Sequence, residues 1–314
     1  MSAAASARRA ALLSYAESEN LGDEIQSIAA AQFLPPDATT VDRDHLRRDG
    51  AGRRLDAILN GWFLIGDEWP PPDDLRPLFV SFYAPPENAR VYDPALRDWY
   101  RHVEPIGCRS TAAAARFAAL GVRAYFSGCL TLCLPPAPGP RGDELCVVDC
   151  DPALLQRLVP ARVLQRAAFL THVERPDAHS LRHRARRRAF RLLARQAWPL
   201  AWRASAAYRR ARHQHRMARA AALLARYAAA RLVITGRLHC FLPCLALGTP
   251  VVLLRDAPDA ARFAGLAELG RVYTRDDPRI AIDWDQPEPN PTRHLALAAA
   301  LAATCRAWAA GRSG

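Results

Sequence analysis

The chain has 314 residues, half of them hydrophobic, and 43 basic side chains against 31 acidic ones give a formal net charge of +12. That length suits two domains with a sizeable core, and no run of 18 apolar residues offers a membrane span. All 43 basic residues are arginine; sixteen lie between Arg175 and Arg231 beside Asp177 alone, while the other 27 face 30 acids, so the basicity belongs to one segment.

At the N-terminus, Met1 to Tyr15 carries two arginines ahead of a short apolar stretch that merges into a strand pattern. This argues against a secretory signal and for a cytoplasmic protein. Ala11 to Tyr15 reads as a strand, followed by the polar loop Glu17-Ser18-Glu19-Asn20 and a helix from Gly22 to Gln32 with Ile25, Ile28, Ala29 and Gln32 as its stripe. Leu55 to Leu59 is a second strand ending at Asn60-Gly61-Trp62, and Leu78 to Tyr83 a third. Val103 to Cys108 leads to Arg109, after which Ser110 or Thr111 caps an alanine-rich helix that stops at Gly121. Val122 to Phe126 and Leu145 to Val148 complete this set. Pro135 to Gly142 is a proline- and glycine-rich loop, and a domain junction is expected after Asp149, dividing residues 1–150 from 151–314.

A second alternating set starts with Ala167 to Val173 and resumes at Leu232. Sequential strand–helix alternation implies parallel sheets, so the fold class is α/β, with two Rossmann-like domains facing a cleft. Between these strands, His179 to Tyr227 is rich in alanine, leucine and arginine, strong helix formers, with a break at Pro199. A solvated helical hairpin accounts for this Arg-rich insertion (175–231). A face for anionic lipid or polymer does so too, since Trp198 and Trp202 place amphipathic rings beside the break. Nucleic acid is disfavoured, because no helix-turn-helix, zinc-finger or RNA-binding signature accompanies the charge.

Residues 231 to 254 carry the densest information. Leu232 to Thr235 is a buried strand, Gly236 breaks it, and His239 to Leu247 is a short buried helix. Gly248 sits where a helix end favours positive φ, Pro250 bars continuation, and Val251 to Leu254 starts another strand. Arg237 and His239 stand at the strand-to-helix turn, the edge where open α/β sheets bind ligands and helix N–H groups favour anions. A fixed cation beside a titratable imidazole points to a phosphorylated or carboxylated substrate.

Other candidates lie on corresponding turns, each with a structural alternative. Asn20 and Asp23 flank Gly22; capping explains them, and so does a site in which Asp23 is a base for an acceptor hydroxyl. Asn60 ends a strand where an amide can bind sugar hydroxyls or form a turn. Arg109 is an anion ligand or a surface cation, and His172 a cleft residue or a structural histidine. Six of the eight cysteines form three pairs spaced by four, Cys129/Cys133, Cys146/Cys150 and Cys240/Cys244, within apolar segments that suit buried thiols better than a zinc knuckle. No metal-ligand cluster is evident, and no nucleophile is paired with a base.

Taken in order, Asn20-Leu21-Gly22-Asp23-Glu24, Asn60-Gly61, Gly107-Cys108-Arg109, Ser127-Gly128-Cys129-Leu130-Thr131-Leu132 and Thr235-Gly236-Arg237-Leu238-His239 resemble the polysaccharide pyruvyl transferase family. The resemblance implies a GT-B-like pair of domains. It also implies transfer of a pyruvate ketal from phosphoenolpyruvate, with no further cofactor, to a sugar of a cell-surface polysaccharide or its lipid-linked precursor. Under it His239 is the candidate acid that protonates the donor's methylene, and Arg237 and Arg109 clamp phosphate or carboxylate. Gly22 and Leu238 join Asn20, Asn60 and His172 in the substrate-binding set. The chain departs from better-known members at Asn60-Gly61-Trp62, often a glycine-rich turn, and at Ser110, often an acid. The competing readings are a GT-B nucleotide-sugar glycosyltransferase and a non-catalytic binder of anionic surfaces on a degenerate transferase scaffold. Docking of the arginine-rich segment on the inner membrane is a further expectation.

Overall fold

The computed structural model describes residues 7–15, 18–63, 69–174, 198–255 and 260–311, with side chains in the long arginine-rich helix described from residue 207. Short runs, most of them apolar and too short for helices, form two parallel sheets. The first contains β1 (Arg9–Ser14), β2 (Thr39–Asp42), β3 (Leu55–Trp62), β4 (Leu75–Tyr83), β5 (Ile106–Cys108) and β6 (Ala124–Phe126), in the order β2-β1-β3-β4-β5-β6. The second contains β7 (Leu145–Val148), β8 (Ala168–Leu170), β9 (Leu232–Thr235), β10 (Val251–Leu254) and β11 (Arg271–Tyr273), in the order β11-β10-β9-β7-β8. Each sheet therefore winds outward both ways from its first strand, as Rossmann-like sheets do. Its switch point falls between β1 and β3 in one and between β7 and β9 in the other, where such sheets bind ligands beyond the strand C-termini.

The sheet changes in the connection between β6 and β7. Leu145–Val148 thus opens the second sheet instead of closing the first unit ahead of a junction after Asp149; the proline-rich loop is what separates the two strand sets. β8 is shorter than the expected Ala167 to Val173, because Val173 leaves the sheet and forms an isolated antiparallel bridge with Asn20. Leu21 N donates to His172 O at 2.8 Å and Glu174 N to Glu19 O at 2.8 Å, so the loop after β8 is stitched to the start of the first helix.

That helix, Leu21–Ala31, is buried over most of its circumference rather than along one stripe. The reason is its second neighbour. The arginine-rich segment contains one 32-residue helix, Trp198–Ala229, which packs across the first helix. Pro199 lies in its first turn, where a missing N–H costs nothing. Arg209, His213, Arg216, Ala220, Leu224 and Tyr227 are all buried, and their spacing of three and four residues draws a single helical stripe. The solvated helix expected of this segment is thereby corrected along that stripe of residues 207–229, while its other faces are exposed. Arg216 Nε reaches Glu24 at 2.9 Å and His213 Nδ1 reaches the same carboxylate at 3.1 Å. Arg216 also pairs with Glu174, Arg219 with Glu174 at 2.8 Å, Arg209 with Asp49 at 3.1 Å and Arg226 with Glu144 at 2.6 Å. The second arm of the expected hairpin lies outside the described residues, and the lipid-facing role read from Trp198 and Trp202 lies outside the described side chains.

The C-terminal helix, His294–Ala310, returns to the first half of the chain: Gly128 abuts Leu297, and Cys133 Sγ donates to Ala298 O at 3.3 Å. All eight cysteines are free, six of them buried. Burial pushes the Cys133, Cys146 and Cys305 thiols up to about 12, the behaviour of packing thiols. Among the described residues no helix is long and apolar enough to cross a membrane, and no group of three or more His, Cys, Asp or Glu is arranged to hold a metal.

The buried ion cluster sets a stability prediction. Arg216→Ala leaves the Glu24 carboxylate buried without its guanidinium and should cost about 3–5 kcal/mol. Arg219→Ala removes a half-exposed partner and should cost about 0–1 kcal/mol. Urea denaturation of both variants checks this; equal small losses contradict the account.

Candidate functional site

The site grows from the first strand-to-helix turn. Asn20 caps the first helix, its Oδ1 accepting from Gly22 N at 3.1 Å. Gly22 lies close against residues of the second half of the chain. A Cβ there would lie 3.0 Å from His239 Cβ, 3.1 Å from Asn20 Oδ1 and 3.1 Å from His172 Nδ1, so any side chain would wedge apart two histidines and an amide. Asp23 is mostly buried, accepting from Ser18 Oγ at 2.5 Å and from Gln26 Nε2 at 3.2 Å.

One turn further along the same helix, Gln26 gathers the residues of the first sheet. Its backbone oxygen accepts from Asn60 Nδ2 at 2.9 Å, and its Oε1 accepts from Arg109 Nη1 at 3.4 Å. Asn60, within β3, thus lies at the switch point. Arg109 follows β5 and is fully buried, its guanidinium carbon 4.5 Å from the centre of the Tyr83 ring. Burial lowers its pKa to about 10, which leaves it a cation at neutral pH. The surface alternative for Arg109 is excluded.

From the second sheet come His172, Arg237, Leu238 and His239. His172 follows β8 and is fully buried; its Nε2 is 2.8 Å from Tyr227 Oη, and its backbone N donates to Asp149 Oδ2 at 2.8 Å. The same Asp149 oxygen accepts from Arg237 Nε at 3.0 Å. Asp149 holds a left-handed backbone, φ 45°, at the end of β7, a strained conformation outside glycine. Its carbonyl also presses on Gly236, where a Cβ would come within 2.6 Å of it. Arg237 is therefore seated at the rim by Asp149, with its side chain 36% exposed. Leu238 is buried and begins the helix Leu238–Leu247, in which His239 departs from helical angles at φ −83°, ψ 19°. Burial raises the Cys240 thiol, but hydrogen bonds from Cys244, His172 and Thr235 outweigh it and bring it down to about 6.

His239 is 4% exposed. Its pKa is driven well below the ordinary histidine value by burial first, then by the charges of Arg109, Arg262 and His172. It is a neutral imidazole in the free protein, held close to a permanent cation. Around this point Asn60 Oδ1, Arg109 Nε and Nη2, His172 Nδ1 and His239 Nε2 are all buried without a hydrogen-bond partner. Buried polar atoms are rarely left so, and these five belong to residues of both halves: Asn60 within β3, and Arg109, His172 and His239 following β5, β8 and β9. The arrangement offers a guanidinium fork, two ring nitrogens and an amide oxygen to a small polar anion.

All nine candidates fall at or beside these two strand edges, though Arg237 engages Asp149 rather than the buried group. Sequence reasoning missed Gln26, Tyr83, Tyr227, Asp149 and Arg262. Gln26 carried a usable signal, lying three residues after Asp23 and so on the same helical face. Tyr227 and Asp149 carried none, because their partners are distant in sequence.

A family model described as polysaccharide pyruvyl transferase matches residues 20–256. The match spans well over half of the chain, which belongs to that family. The protein is accordingly a transferase, and the family implies a saccharide acceptor. No curated protein gives a significant match.

The electrostatic coupling at the site is measurable. Removing a neighbouring cation must raise an imidazole's pKa, so Arg109→Gln should move the NMR titration of His239 upward toward the ordinary value near 6.5. An unchanged titration would separate the two residues.

Proposed function

We propose that this transferase moves the pyruvyl group of phosphoenolpyruvate onto hydroxyls of a sugar in a cell-surface polysaccharide or its lipid-linked precursor, forming a ketal and releasing phosphate. The observation that supports it most is the set of partnerless buried polar atoms on Arg109, His172, His239 and Asn60. Phosphoenolpyruvate is a compact anion whose phosphate and carboxylate match guanidinium forks. In this reading the two sheets are Rossmann-like domains in a GT-B-like arrangement, with the donor held between their strand edges and activated by protein groups without a cofactor.

The chemistry follows from the charges. Arg109 suppresses protonation of His239 in the free protein. A bound trianion offsets that field and favours the imidazolium. His239 then protonates the donor's methylene carbon, and the carbon bearing the phosphate becomes electrophilic. A sugar hydroxyl attacks it, with Asp23 accepting the hydroxyl proton. Phosphate then departs, a second hydroxyl attacks the same carbon, and its proton passes to the released phosphate, which completes the ketal. Arg237 binds at the rim, where Asp149 orients it, and Asn20, Gly22 and Leu238 shape the approach.

Phosphate release and product mass, measured with phosphoenolpyruvate and a panel of glycan acceptors, test this reading. His239→Ala should lower kcat by about 10²–10⁴-fold. Arg109→Lys keeps the charge but loses the fork, and should chiefly raise the donor KM. Full turnover in His239→Ala, or an unchanged donor KM in Arg109→Lys, would remove that residue from the mechanism.

A further inference from the structure

His172 is held from several sides. Its backbone N donates to Asp149 Oδ2 at 2.8 Å, and its backbone O accepts from Leu21 N at 2.8 Å. Its Nε2 lies 2.8 Å from Tyr227 Oη, and its ring stacks on that phenol with 28° between the planes. Tyr227 is itself fully buried near the end of the long helix, where Thr249 Oγ1 donates to its carbonyl at 2.9 Å. The other ring nitrogen, Nδ1, is buried without a partner. It lies 3.1 Å from the point where Gly22 would carry a Cβ, and that point is 3.0 Å from His239 Cβ. A ring fixed elsewhere, with one idle nitrogen beside His239, is preorganised for proton transfer.

The tautomer decides what Nδ1 can do. One proton lies between Nε2 and Oη. A buried N–H without an acceptor is rarer than an acceptor without a donor. This places the imidazole proton on Nε2, facing Tyr227, and leaves a lone pair on Nδ1. The neighbouring sulfur agrees. Tyr227 also hydrogen-bonds Cys240, whose thiol, brought down to about 6, is ionised at neutral pH and accepts the phenol O–H. The chain of donors then runs from Nε2–H to Oη and from Oη–H to Sγ.

A lone pair repels an anion and accepts from a hydroxyl, so Nδ1 serves the sugar and not phosphoenolpyruvate. Ketal formation releases two hydroxyl protons. Asp23 takes one, but both of its oxygens already accept hydrogen bonds, from Ser18 Oγ and Gln26 Nε2. We propose that His172 relays the other: as the second hydroxyl forms its O–C bond, its O–H bond breaks, and the proton goes to His172 Nδ1 and from there to the released phosphate. Tyr227 is the positioning residue for this step, and the inference rests on the pyruvyl-transfer reading. The charge of His172 disfavours protonation of His239. His172 therefore gains its proton only after His239 has given its own to the methylene, which orders the two steps.

Long-range 1H–15N correlation spectra of the full chain read the tautomer without turnover. They should show a protonated Nε2 and a bare Nδ1 for His172, assigned by the loss of these signals in His172→Gln. With phosphoenolpyruvate and the panel of glycan acceptors, His172→Gln should lower kcat by about 10²–10⁴-fold, while calorimetry finds phosphoenolpyruvate affinity unchanged. Tyr227→Phe should lower kcat about tenfold, the worth of one hydrogen bond, at unchanged donor KM, and should shift the His172 ring toward Nδ1–H. A protonated Nδ1 in the parent protein overturns the inference, whether or not any acceptor of the panel turns over. So does a His172→Gln variant that keeps its kcat or loses donor affinity, which would make His172 a ligand of the donor. If phosphoenolpyruvate neither binds the parent protein nor turns over, the pyruvyl-transfer reading fails and the relay with it; full turnover in His172→Gln strikes the relay alone.

Discussion

A guanidinium removed from water is among the costliest groups a fold can enclose, and Arg109 is enclosed completely with one hydrogen bond, at 3.4 Å, and one aromatic face. Unpaired buried charge costs several kcal/mol even after relaxation. The fold tolerates it because the surroundings fix it from several sides. β5 sets its backbone, Gln26 meets one nitrogen, and Tyr83 covers its plane. The remaining nitrogens lie beside His239, whose imidazole stays neutral for the same reason. A site arranged this way stores unfavourable electrostatics that a bound anion would relieve, so in the mechanism proposed above donor binding and acid activation are one event.

The rest of the architecture keeps that arrangement in register. The residues involved come from two sheets, and small displacements between sheets would dissolve the constellation. The stitching of residues 19–21 to 172–174 through paired backbone hydrogen bonds fixes one side. The long helix fixes the other: Arg216 joins Glu24 of the first helix, Glu174 of the stitched loop and the carbonyl of Asn20. Asp149 plays the equivalent part within the second sheet by accepting from both His172 and Arg237. Arg209 and Arg216 of the long helix are thus interior structure, and Arg219 and Arg226 are paired with carboxylates, which reduces what residues 207–229 present to an external surface.

The sequence made some of this legible and hid the rest for identifiable reasons. Leu145–Val148, Leu232–Thr235 and Val251–Leu254 lie where their short apolar runs, rich in β-branched residues, placed them, and Gly248 adopts φ 75° at the helix end where a glycine was needed. Thr39–Asp42 and Arg271–Tyr273 were not legible; both are edge strands of three or four residues whose polar content gives no apolar run. The stripe on the long helix escaped notice because its first half is built from Arg209, His213 and Arg216, which a hydrophobicity pattern counts as outward. Arg237 and His239 were legible from their turn, but their different roles were not. The capture of Arg237 by Asp149 depends on a contact 88 residues away in sequence, and the burial of His239 on the approach of Gly22 from the first helix.

The central claim is that an anionic donor relieves the field of Arg109 and thereby charges His239. Titration of the His239 ring protons by NMR, with and without saturating phosphoenolpyruvate and with no acceptor present, tests it directly. The account predicts a ring that remains neutral through the ordinary histidine range in the free protein and gains a proton at clearly higher pH when the donor is bound. A His239 titration that is the same in both states, with donor binding established independently, would contradict it.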